Sequence, residues 1–312
     1  MMSELVIKEN IALAPLTSFK VGGLAKYFVQ VTTLDELLDA LEVAKKNAWP
    51  AFVLAGGSNL IVSDSGFDGL VIALAMTGWQ IEGDKLTSAP STSMTELVNA
   101  SIDKGLAGLE WAGGLPGSFG GAIRGNAGCF GGEIKDSVLS VRSVEISSGR
   151  EIVRDRAKCE FDYRDSVYKH RAEIIVEATL ELNLGNAKEL REIADSHIAF
   201  RQERHPLELP NAGSIFKNIP LEQVPKEHLP LFADAIKNDP FPVVPTAKVI
   251  AVANLKGLRV GNAQLSQKHS NMIVNLDGAT SDDVMRLIDK IRLKIHELYG
   301  VKLEIEPELV GF

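Results

Sequence analysis

Two short segments of this 312-residue chain carry side chains whose types and spacing could do chemistry. Arg164 lies in the segment 163–166, and Ser214 lies three residues before Lys217. A guanidinium is a planar cation that suits bidentate recognition of a carboxylate. A hydroxyl near positive charge can deliver a proton to a strongly basic carbon. Together the two segments would suit reduction of an anionic unsaturated acid, provided that a cofactor supplies the hydride.

Each of these residues also has an ordinary structural interpretation. Arg164 could form an ion pair with Asp162 or Asp165 in a loop. Ser214 could cap a helix, with Lys217 on the surface. If the segment between them is extended rather than helical, their side chains diverge and Lys217 would act elsewhere in the pocket.

Two glycine-rich stretches are candidates for holding the cofactor. The first, residues 56–60, follows a short buried strand, and glycine lets the backbone approach an anion closely there. Taken alone it is more typical of an ordinary turn, since it matches neither a Walker loop nor a GxGxxG loop. The second, residues 108–132, is much richer in glycine, and its interspersed apolar residues argue against disorder. It predicts a backbone-lined crevice for a pyrophosphate and a flat ring system.

Composition and charge narrow the class of protein. The net charge of −8 argues against a nucleic-acid or anionic-membrane surface. The longest apolar run, residues 70–76, is too short to span a bilayer. Cys129 and Cys159 show no metal or redox spacing, and the first ten residues have acids where a signal peptide has an apolar core. We therefore expect a cytoplasmic protein with no metal.

Local signals predict alternating strands and helices. Capping boxes at 33–36 and 93–96 and a capping segment at 280–283 each predict the start of a helix, and parallel pairing is expected within the first seventy-odd residues. The residues from 219 to 245 are rich in proline and have no clear role. The expected strands are 26–31, 51–54, 69–74, 139–146, 151–153, 173–182 (with Ile174, Val176, Ala178, Leu180 and Leu182 on one face), 270–275 and 302–306.

Seven motifs, in order along the chain, resemble the MurB family of UDP-N-acetylenolpyruvoylglucosamine reductases. They lie at residues 17–23, 56–60, 116–128, 161–166, 212–218, 255–261 and 269–275. Each is weak alone, but the ordered set is specific. The chain passes from the strand 173–182 through one helix to residue 212, so it resembles the shorter class that lacks a loop whose tyrosine covers the substrate.

This resemblance implies an α+β fold with a two-subdomain FAD-binding domain of the vanillyl-alcohol-oxidase/PCMH type and a smaller α+β substrate-binding domain. The implied divisions are residues 1–75 with a C-terminal return at 303–312, residues 76–205, and residues 206–302. It also implies an NADPH-dependent flavoenzyme with non-covalent FAD. Such an enzyme reduces UDP-N-acetylglucosamine enolpyruvate to UDP-N-acetylmuramate in peptidoglycan precursor synthesis. We expect a monomer whose partner is this small UDP-sugar enolpyruvyl ether, with no nucleic acid and no membrane.

The family motifs also assign roles to residues. The implied catalytic residues are Arg164 for the carboxylate, Ser214 as proton donor, and Glu306. The implied cofactor-binding residues are Gly56, Gly57, Ser58, Asn59, Leu60, Pro116, Gly117, Ser118, Gly120, Gly121, Ala122, Asn126 and Gly128. The implied substrate-binding residues are Tyr163, Lys217, Asn218 and His269.

Some of these assignments leave alternatives open. Glu304 and Glu308 would share a strand face with Glu306, so the pattern alone does not choose among them. A lone histidine such as His269 is more often a structural hydrogen-bonding residue. Cys129 could in principle bind flavin covalently, although a buried thiol is commoner. A flavin oxidase of the same fold, which would not need Ser214, and a colourless nucleotide-binding scaffold are the competing functions.

Overall fold

The structure is a computed structural model that describes residues 5–238 and 241–312. The chain divides into two compact units, each made of three stretches of sequence. The first contains residues up to Ile11, Ala25–Gly56 and Asp68–Arg201. The second contains Ala12–Leu24, Gly57–Phe67 and Gln202–Phe312. The three-part division at residues 75, 205 and 302 stays a prediction.

The first unit contains two main sheets. One has four strands in the order β1-β2-β5-β3, with β3 and β5 parallel as expected. The other is antiparallel, in the order β12-β11-β13-β7-β6, and two short antiparallel pairs, β8 with β14 and β9 with β10, accompany it. The strands are β1 Lys8–Ala12, β2 Leu24–Val31, β3 Ala51–Leu54, β5 Phe67–Leu74, β6 Trp79–Glu82, β7 Lys85–Ser88, β8 Leu106–Ala107, β9 Gly128–Cys129, β10 Gly132–Glu133, β11 Val138–Glu145, β12 Glu151–Asp155, β13 Glu173–Glu181 and β14 Asn183–Leu184.

The first two helices of the first unit begin at the predicted caps. The Thr33 hydroxyl accepts a hydrogen bond from the Glu36 N–H, and the full capping box is present. Ser93 caps the second helix in the same way, but the Glu96 carboxylate accepts from the Trp79 indole at 2.7 Å. The helices are α1 Leu34–Lys46, α2 Met94–Asp103, α3 Phe119–Arg124, α4 Val167–His170 and α5 Ala187–Arg204.

Strand β13 does not present one uniform apolar face, contrary to the prediction. Ile174 and Val176 belong to the core around α1, whereas Ala178 and Leu180 belong to the core around α2 and α3. A shift in its pairing with β11, between Arg142 and Ser143, interrupts the strict alternation. Such an irregularity lets one strand serve two cores.

The second unit is built around a long amphipathic helix and an antiparallel sheet. The sheet has the order β15-β20-β19-β18, β4 and β21 pair in parallel, and β16 pairs with β17. The elements are β4 Leu60–Val62, β15 Asn211–Ser214, β16 Ile219–Pro220, β17 Val243–Val244, α6 Thr246–Val252, β18 Arg259–Val260, β19 Ala263–Leu265, β20 Met272–Asn275, α7 Ser281–Tyr299 and β21 Glu308–Val310. The predicted cap at Thr280 starts α7, and Thr280 and Asp283 form a full capping box there.

The proline-rich stretch between β16 and β17 is part of this unit's packing. Val224 and Phe232 are buried in its core, and Lys248 pairs with Asp234 at 2.8 Å. Proline lacks a backbone donor, which suits the short 3₁₀ turns found here. The stretch therefore packs as part of the second unit.

The predicted strand at 302–306 is wrong. Only Ile305 pairs there, in an isolated bridge to Phe216, and the last strand is Glu308–Val310. Pro307 lies between the two pairings and cannot donate to a ladder, which accounts for the break.

Candidate active site

The two glycine-rich stretches meet in the first unit. A Cβ atom placed on Gly56 would lie 3.1 Å from the Ser118 backbone nitrogen and 3.3 Å from the Gly117 Cα atom. Gly117 has a φ of 106°, a conformation that favours glycine. The sequence predicted that both stretches serve one cofactor, and their backbones do approach closely at these residues.

The second stretch has more regular structure than the predicted loop. Ser118 caps α3, its hydroxyl accepting a hydrogen bond from the Gly121 N–H at 3.4 Å. A Cβ atom on Gly120 would lie 2.8 Å from the Pro90 Cβ atom. Pro116 precedes this helix, and Ala122 is buried within it. The small residues therefore let this segment pack closely on its neighbours.

The rest of the first loop lies in the second unit. Gly57 has a φ of 60°, and its carbonyl accepts from the Ser18 N–H at 3.0 Å. Asn59 donates from Nδ2 to the Glu306 carbonyl at 3.4 Å, and its own carbonyl accepts from the Glu308 N–H. Ser58 is half-buried, and Leu60 begins β4. The loop is thereby joined to the chain around Glu306.

Arg164 lies at a tight turn that rests on the second glycine stretch. Asp162 and Asp165 pair through two backbone hydrogen bonds of 3.1 Å, and Arg164 has a φ of 55°. Its guanidinium donates to the Gly128 carbonyl at 2.6 Å. Asn126 is fully buried and donates from Nδ2 to the Asp162 carbonyl at 2.8 Å. The predicted cation is thus fixed to the predicted cofactor segment.

The sequence left open whether Arg164 instead forms an ion pair with Asp162 or Asp165, and the surroundings of Tyr163 and Asp165 bear on this alternative. Asp165 binds His170 at 2.7 Å, and the Arg164 guanidinium lies 5.2 Å from the centre of the Tyr163 ring. An arginine over an aromatic face is a favourable arrangement. Asp165 therefore has a hydrogen-bonding partner, His170, within its own loop and the short helix that follows.

Cys129 is held as a thiol. Burial raises the pKa of the Cys129 thiol above its ordinary value, although the Arg201 and Arg164 guanidiniums act in the opposite direction. The Arg201 guanidinium donates to its sulfur at 3.0 Å and to the Gly113 carbonyl at 3.0 Å. A raised thiol pKa disfavours the reactive thiolate.

Ser214 and Glu306 are neighbours in the second unit. Ser214 ends β15 opposite Met272, and the Glu306 N–H donates to the carbonyl of Ile215, the residue after Ser214, at 2.9 Å. Gly213 has a φ of 75°, and a Cβ atom there would meet no atom within 4 Å. Two of the three predicted catalytic residues therefore come from adjacent backbone segments.

Lys217 follows in an extended segment rather than a helix. Its ammonium lies 3.5 Å from the carboxylate of Glu304, whose side chain is 67% exposed. The Lys217 carbonyl accepts a hydrogen bond from the Thr246 hydroxyl at 2.5 Å, and the Asn218 side-chain oxygen accepts one from the Thr246 N–H at 3.3 Å. The sequence left open whether the segment from Ser214 to Lys217 is helical or extended, and the structure shows that it is not helical. Glu304 is more exposed than the half-buried Glu306.

His269 lies among cationic groups in the second unit. Burial lowers its pKa to about 4, and the nearby His205, Lys256 and Lys237 act in the same direction. Its ring meets that of His205 edge to face at 5.1 Å, and its Nδ1 atom accepts from the Asn271 N–H at 3.3 Å. The imidazole is therefore neutral near pH 7 and acts as a hydrogen-bond acceptor.

The sequence did not single out Glu133 and Arg201, which are both buried charged residues beside the Gly128–Cys129 strand. For Glu133 the available signal was a charged residue directly after the glycine-dense segment 108–132, whereas the sequence around Arg201 offered no such signal. Across residues 5–238 and 241–312, no group of three or more His, Cys, Asp and Glu side chains could hold a metal ion. In the same ranges, no helix combines the length and apolar character needed to cross a bilayer.

Two protein-family models match the chain. That of an FAD binding domain matches residues 25–154, and that of the UDP-N-acetylenolpyruvoylglucosamine reductase C-terminal domain matches residues 205–310. Together with the mixed sheets and helices, these matches place the chain among the α+β FAD-binding proteins.

Relatives extend along nearly the whole chain. UDP-N-acetylenolpyruvoylglucosamine reductase from Anoxybacillus flavithermus is 35% identical over 308 residues, covering 98% of this chain and 94% of the relative. The one from Lactobacillus acidophilus is 34% identical, covering 98% and 95%. The crystal structure of UDP-N-acetylenolpyruvylglucosamine reductase (MurB) from Thermus caldophilus superposes with a TM-score of 0.78 at 29% identity, covering 99% of both chains. The chain belongs to the UDP-N-acetylenolpyruvoylglucosamine reductase family, which confirms the predicted family and fold class.

Proposed function

We infer that this chain is an FAD-dependent oxidoreductase that reduces UDP-N-acetylglucosamine enolpyruvate to UDP-N-acetylmuramate in peptidoglycan precursor synthesis. The relationship over 98% of the chain to reductases of that name carries this inference. Such chemistry requires a cofactor site with a fixed cation beside it. The close approach of the two glycine stretches and the contact of Arg164 with Gly128 are suited to these two roles.

The glycine stretches fit FAD. Gly56, Gly117 and Ser118 present backbone at close range, where any larger residue at position 56 would intrude. The residues that would hold the cofactor are Gly56, Gly57, Ser58, Asn59, Leu60, Pro116, Gly117, Ser118, Gly120, Gly121, Ala122, Asn126 and Gly128. When bound, FAD supplies the hydride for the enolpyruvyl methylene carbon. The raised pKa of Cys129 supports non-covalent binding.

Arg164 is proposed to bind the substrate carboxylate. Hydride addition leaves negative charge on the neighbouring carbon and on the carboxylate, so a fixed cation stabilises the transition state. The contact with the Gly128 carbonyl restrains the guanidinium, which reduces the entropy lost when it binds an anion. An arginine on an unrestrained surface loop would lose more entropy on binding the carboxylate.

Ser214 is proposed to give the proton to that carbon, with Glu306 as its neighbour. A hydroxyl is a weak acid, so it can serve only against a strongly basic carbon. A protonated Glu306 would donate a hydrogen bond to the developing aci-carboxylate. Its place beside Ile215 supports choosing Glu306, since Glu304 is exposed and bound to Lys217.

The remaining substrate contacts are proposed at Tyr163, Lys217, Asn218 and His269. Lys217 supplies a cation for the diphosphate or carboxylate of the UDP-sugar, and its exposed partner Glu304 can be displaced in water. His269 is three residues from Met272, the strand partner of Ser214. Its neutral ring can exchange hydrogen bonds with a sugar or uracil.

We also propose NADPH as the reductant, a cytoplasmic monomer, and no nucleic-acid partner. The negative net charge supports the last point. The three-part division, with residues 303–312 returning to the first part, and the absence of the tyrosine loop belong to the same proposal. Between β13 and β15 the chain forms β14 and α5, which supports the proposal that the tyrosine loop is absent.

A flavin absorption spectrum of the pure protein tests the function. The protein is expected to be yellow, to bleach when NADPH is added without oxygen, and to recolour when the enolpyruvyl UDP-sugar follows. A colourless protein with no NADPH turnover would contradict the proposal. Recolouring by oxygen alone, with no response to the sugar nucleotide, would favour a flavin oxidase.

A further inference from the structure

Glu133 is a buried carboxylate with one unsatisfied oxygen. The residue is 7% exposed, and its Oε2 atom pairs with the Lys135 ammonium. Within the part of the chain that the structure describes, its Oε1 atom has no hydrogen-bond partner. Leaving a buried acceptor without a donor is unfavourable, and more so for a charged group. Native proteins rarely leave such atoms unpaired.

The position of Glu133 places this oxygen on the proposed cofactor segment. Glu133 is the strand partner of Gly128 in the short hairpin of β9 and β10. A Cβ atom on Gly128 would lie 2.6 Å from the Glu133 Cγ atom and 3.4 Å from an Arg164 guanidinium nitrogen. Glycine at position 128 therefore makes room for the carboxylate on one side and the guanidinium on the other.

The rest of Glu133 is firmly held. Its N–H donates to the Asp136 carboxylate at 3.0 Å, and the next residue, Ile134, donates to the Ala127 carbonyl at 2.9 Å. Trp111 packs so tightly on Gly132 that an added Cβ atom would lie 2.4 Å from its ring. The backbone that carries the carboxylate is therefore fixed by its neighbours.

We propose that Glu133 contacts the cofactor, its Oε1 atom accepting a hydrogen bond from an N–H or O–H group of FAD. FAD carries such donors in the imide N–H of its ring system and in its ribityl hydroxyls. The Lys135 ammonium pairs with the Oε2 atom, and binding of FAD supplies the missing donor to the Oε1 atom. This inference rests on the proposed FAD site and adds to it a residue that the glycine pattern does not reveal.

The substitution Glu133→Gln tests this contact in the full-length protein, purified with FAD and then stripped of it. The variant keeps the shape but loses the charge, so the Kd for FAD is expected to rise roughly tenfold or more. Without FAD, its Tm is expected to equal or exceed that of the wild type, because the buried charge is gone. The increase in Tm on adding FAD should be smaller.

Lys135→Met is the matched control, since it removes the partner of Oε2 and leaves Oε1 in place. If Glu133 only holds the hairpin through this ion pair, both variants will lose FAD-free stability alike and weaken FAD equally. That result, or an unchanged Kd in Glu133→Gln, overturns the proposal. Failure of the wild type to bind FAD would instead overturn the proposed function.

An FAD analogue methylated at the imide nitrogen distinguishes the two donors. If the imide N–H is the donor, the wild type binds the analogue more weakly, and Glu133→Gln causes no further loss. If a hydroxyl is the donor, the substitution weakens FAD and the analogue to the same extent. Either pattern supports the contact.

Discussion

Three residues around the Gly128–Glu133 hairpin adopt a left-handed backbone although they are not glycine. Asn126, Phe130 and Arg164 have φ values of 40°, 53° and 55°. Such conformations cost of order 1 kcal/mol each and persist where surrounding contacts over-determine them. For Arg164 and Asn126 these contacts include hydrogen bonds to the Gly128 and Asp162 carbonyls. The strain therefore accompanies the placement of the proposed catalytic cation.

Ser214→Ala is expected to separate the two half-reactions of the enzyme. Reduction of FAD by NADPH does not need the hydroxyl, so its rate should stay near that of the wild type. Reduction of the enolpyruvyl substrate should slow by about 10²–10⁴-fold, the range for loss of a general acid. Stopped-flow bleaching and recolouring of the flavin measure the two rates separately. An equal loss in both would show that Ser214 has a structural role.

His269 is expected to make stability depend on pH. Its folded pKa of about 4 lies below its ordinary value of 6.5, so the unfolded chain binds more protons between these values. The stabilisation is present above pH 6.5 and is lost as the pH falls toward 4, by about 1–3 kcal/mol. Urea unfolding of the wild type and of His269→Gln at pH 7 and pH 4.5 measures it. Equal pH slopes in the two proteins would contradict the shift.

At the scale of elements, the meeting of the two glycine stretches is the feature most open to test. Gly56→Ala places a methyl group 3.1 Å from the Ser118 nitrogen, which forces the backbones apart. Overpacking of this kind costs typically about 1–3 kcal/mol, so we expect weaker FAD binding by roughly 5- to 150-fold. Titration of the FAD-free protein followed by flavin fluorescence measures the change.

Gly125→Ala is the matched control for Gly56→Ala. Its φ is −92°, and an added Cβ atom would lie 3.4 Å from its nearest neighbour, the Gly121 carbonyl oxygen. The substitution should leave the FAD affinity within about twofold of the wild type. Substitutions that create no tight contact usually change the free energy of unfolding by about 0.5 kcal/mol or less. Similar losses in both variants would mean that any methyl group in these stretches disturbs the fold.

Helix starts were the elements best predicted from sequence. Thr33 and Thr280 each cap a helix through bonds that span three residues, so the motif itself contains both partners. The strand end near residue 306 was mispredicted, because apolar alternation cannot show where a partner strand pairs. Likewise, β13 serves two cores through a register shift that the sequence pattern did not reveal.

At the scale of the whole molecule, FAD is expected to stabilise the folded chain. A ligand that binds only the folded state adds about 2.7 kcal/mol at a concentration 100 times its Kd. The Tm should therefore rise with FAD concentration, as differential scanning fluorimetry can follow. A Tm that is independent of FAD would argue that the glycine stretches do not hold it. Adenosine alone, which lacks the pyrophosphate and the flavin ring, is a suitable control ligand.

The sequence by itself determined the family and the α+β class, and it supplied the proposal for the catalytic residues. A motif of a few residues carries this information because its side chains and their backbone partners lie close together in the sequence. The relationship to reductases over 98% of the chain confirms the family to which the ordered motifs pointed.

Only the tertiary structure decided which of these residues come together. Gly56 approaches Gly117, the Glu306 N–H reaches Ile215, and Arg164 rests on Gly128 through contacts between segments far apart in sequence. It alone shows that Glu133 is buried with an unsatisfied oxygen. Burial and hydrogen-bond satisfaction depend on every segment that packs around a group, so no local pattern of residues contains them.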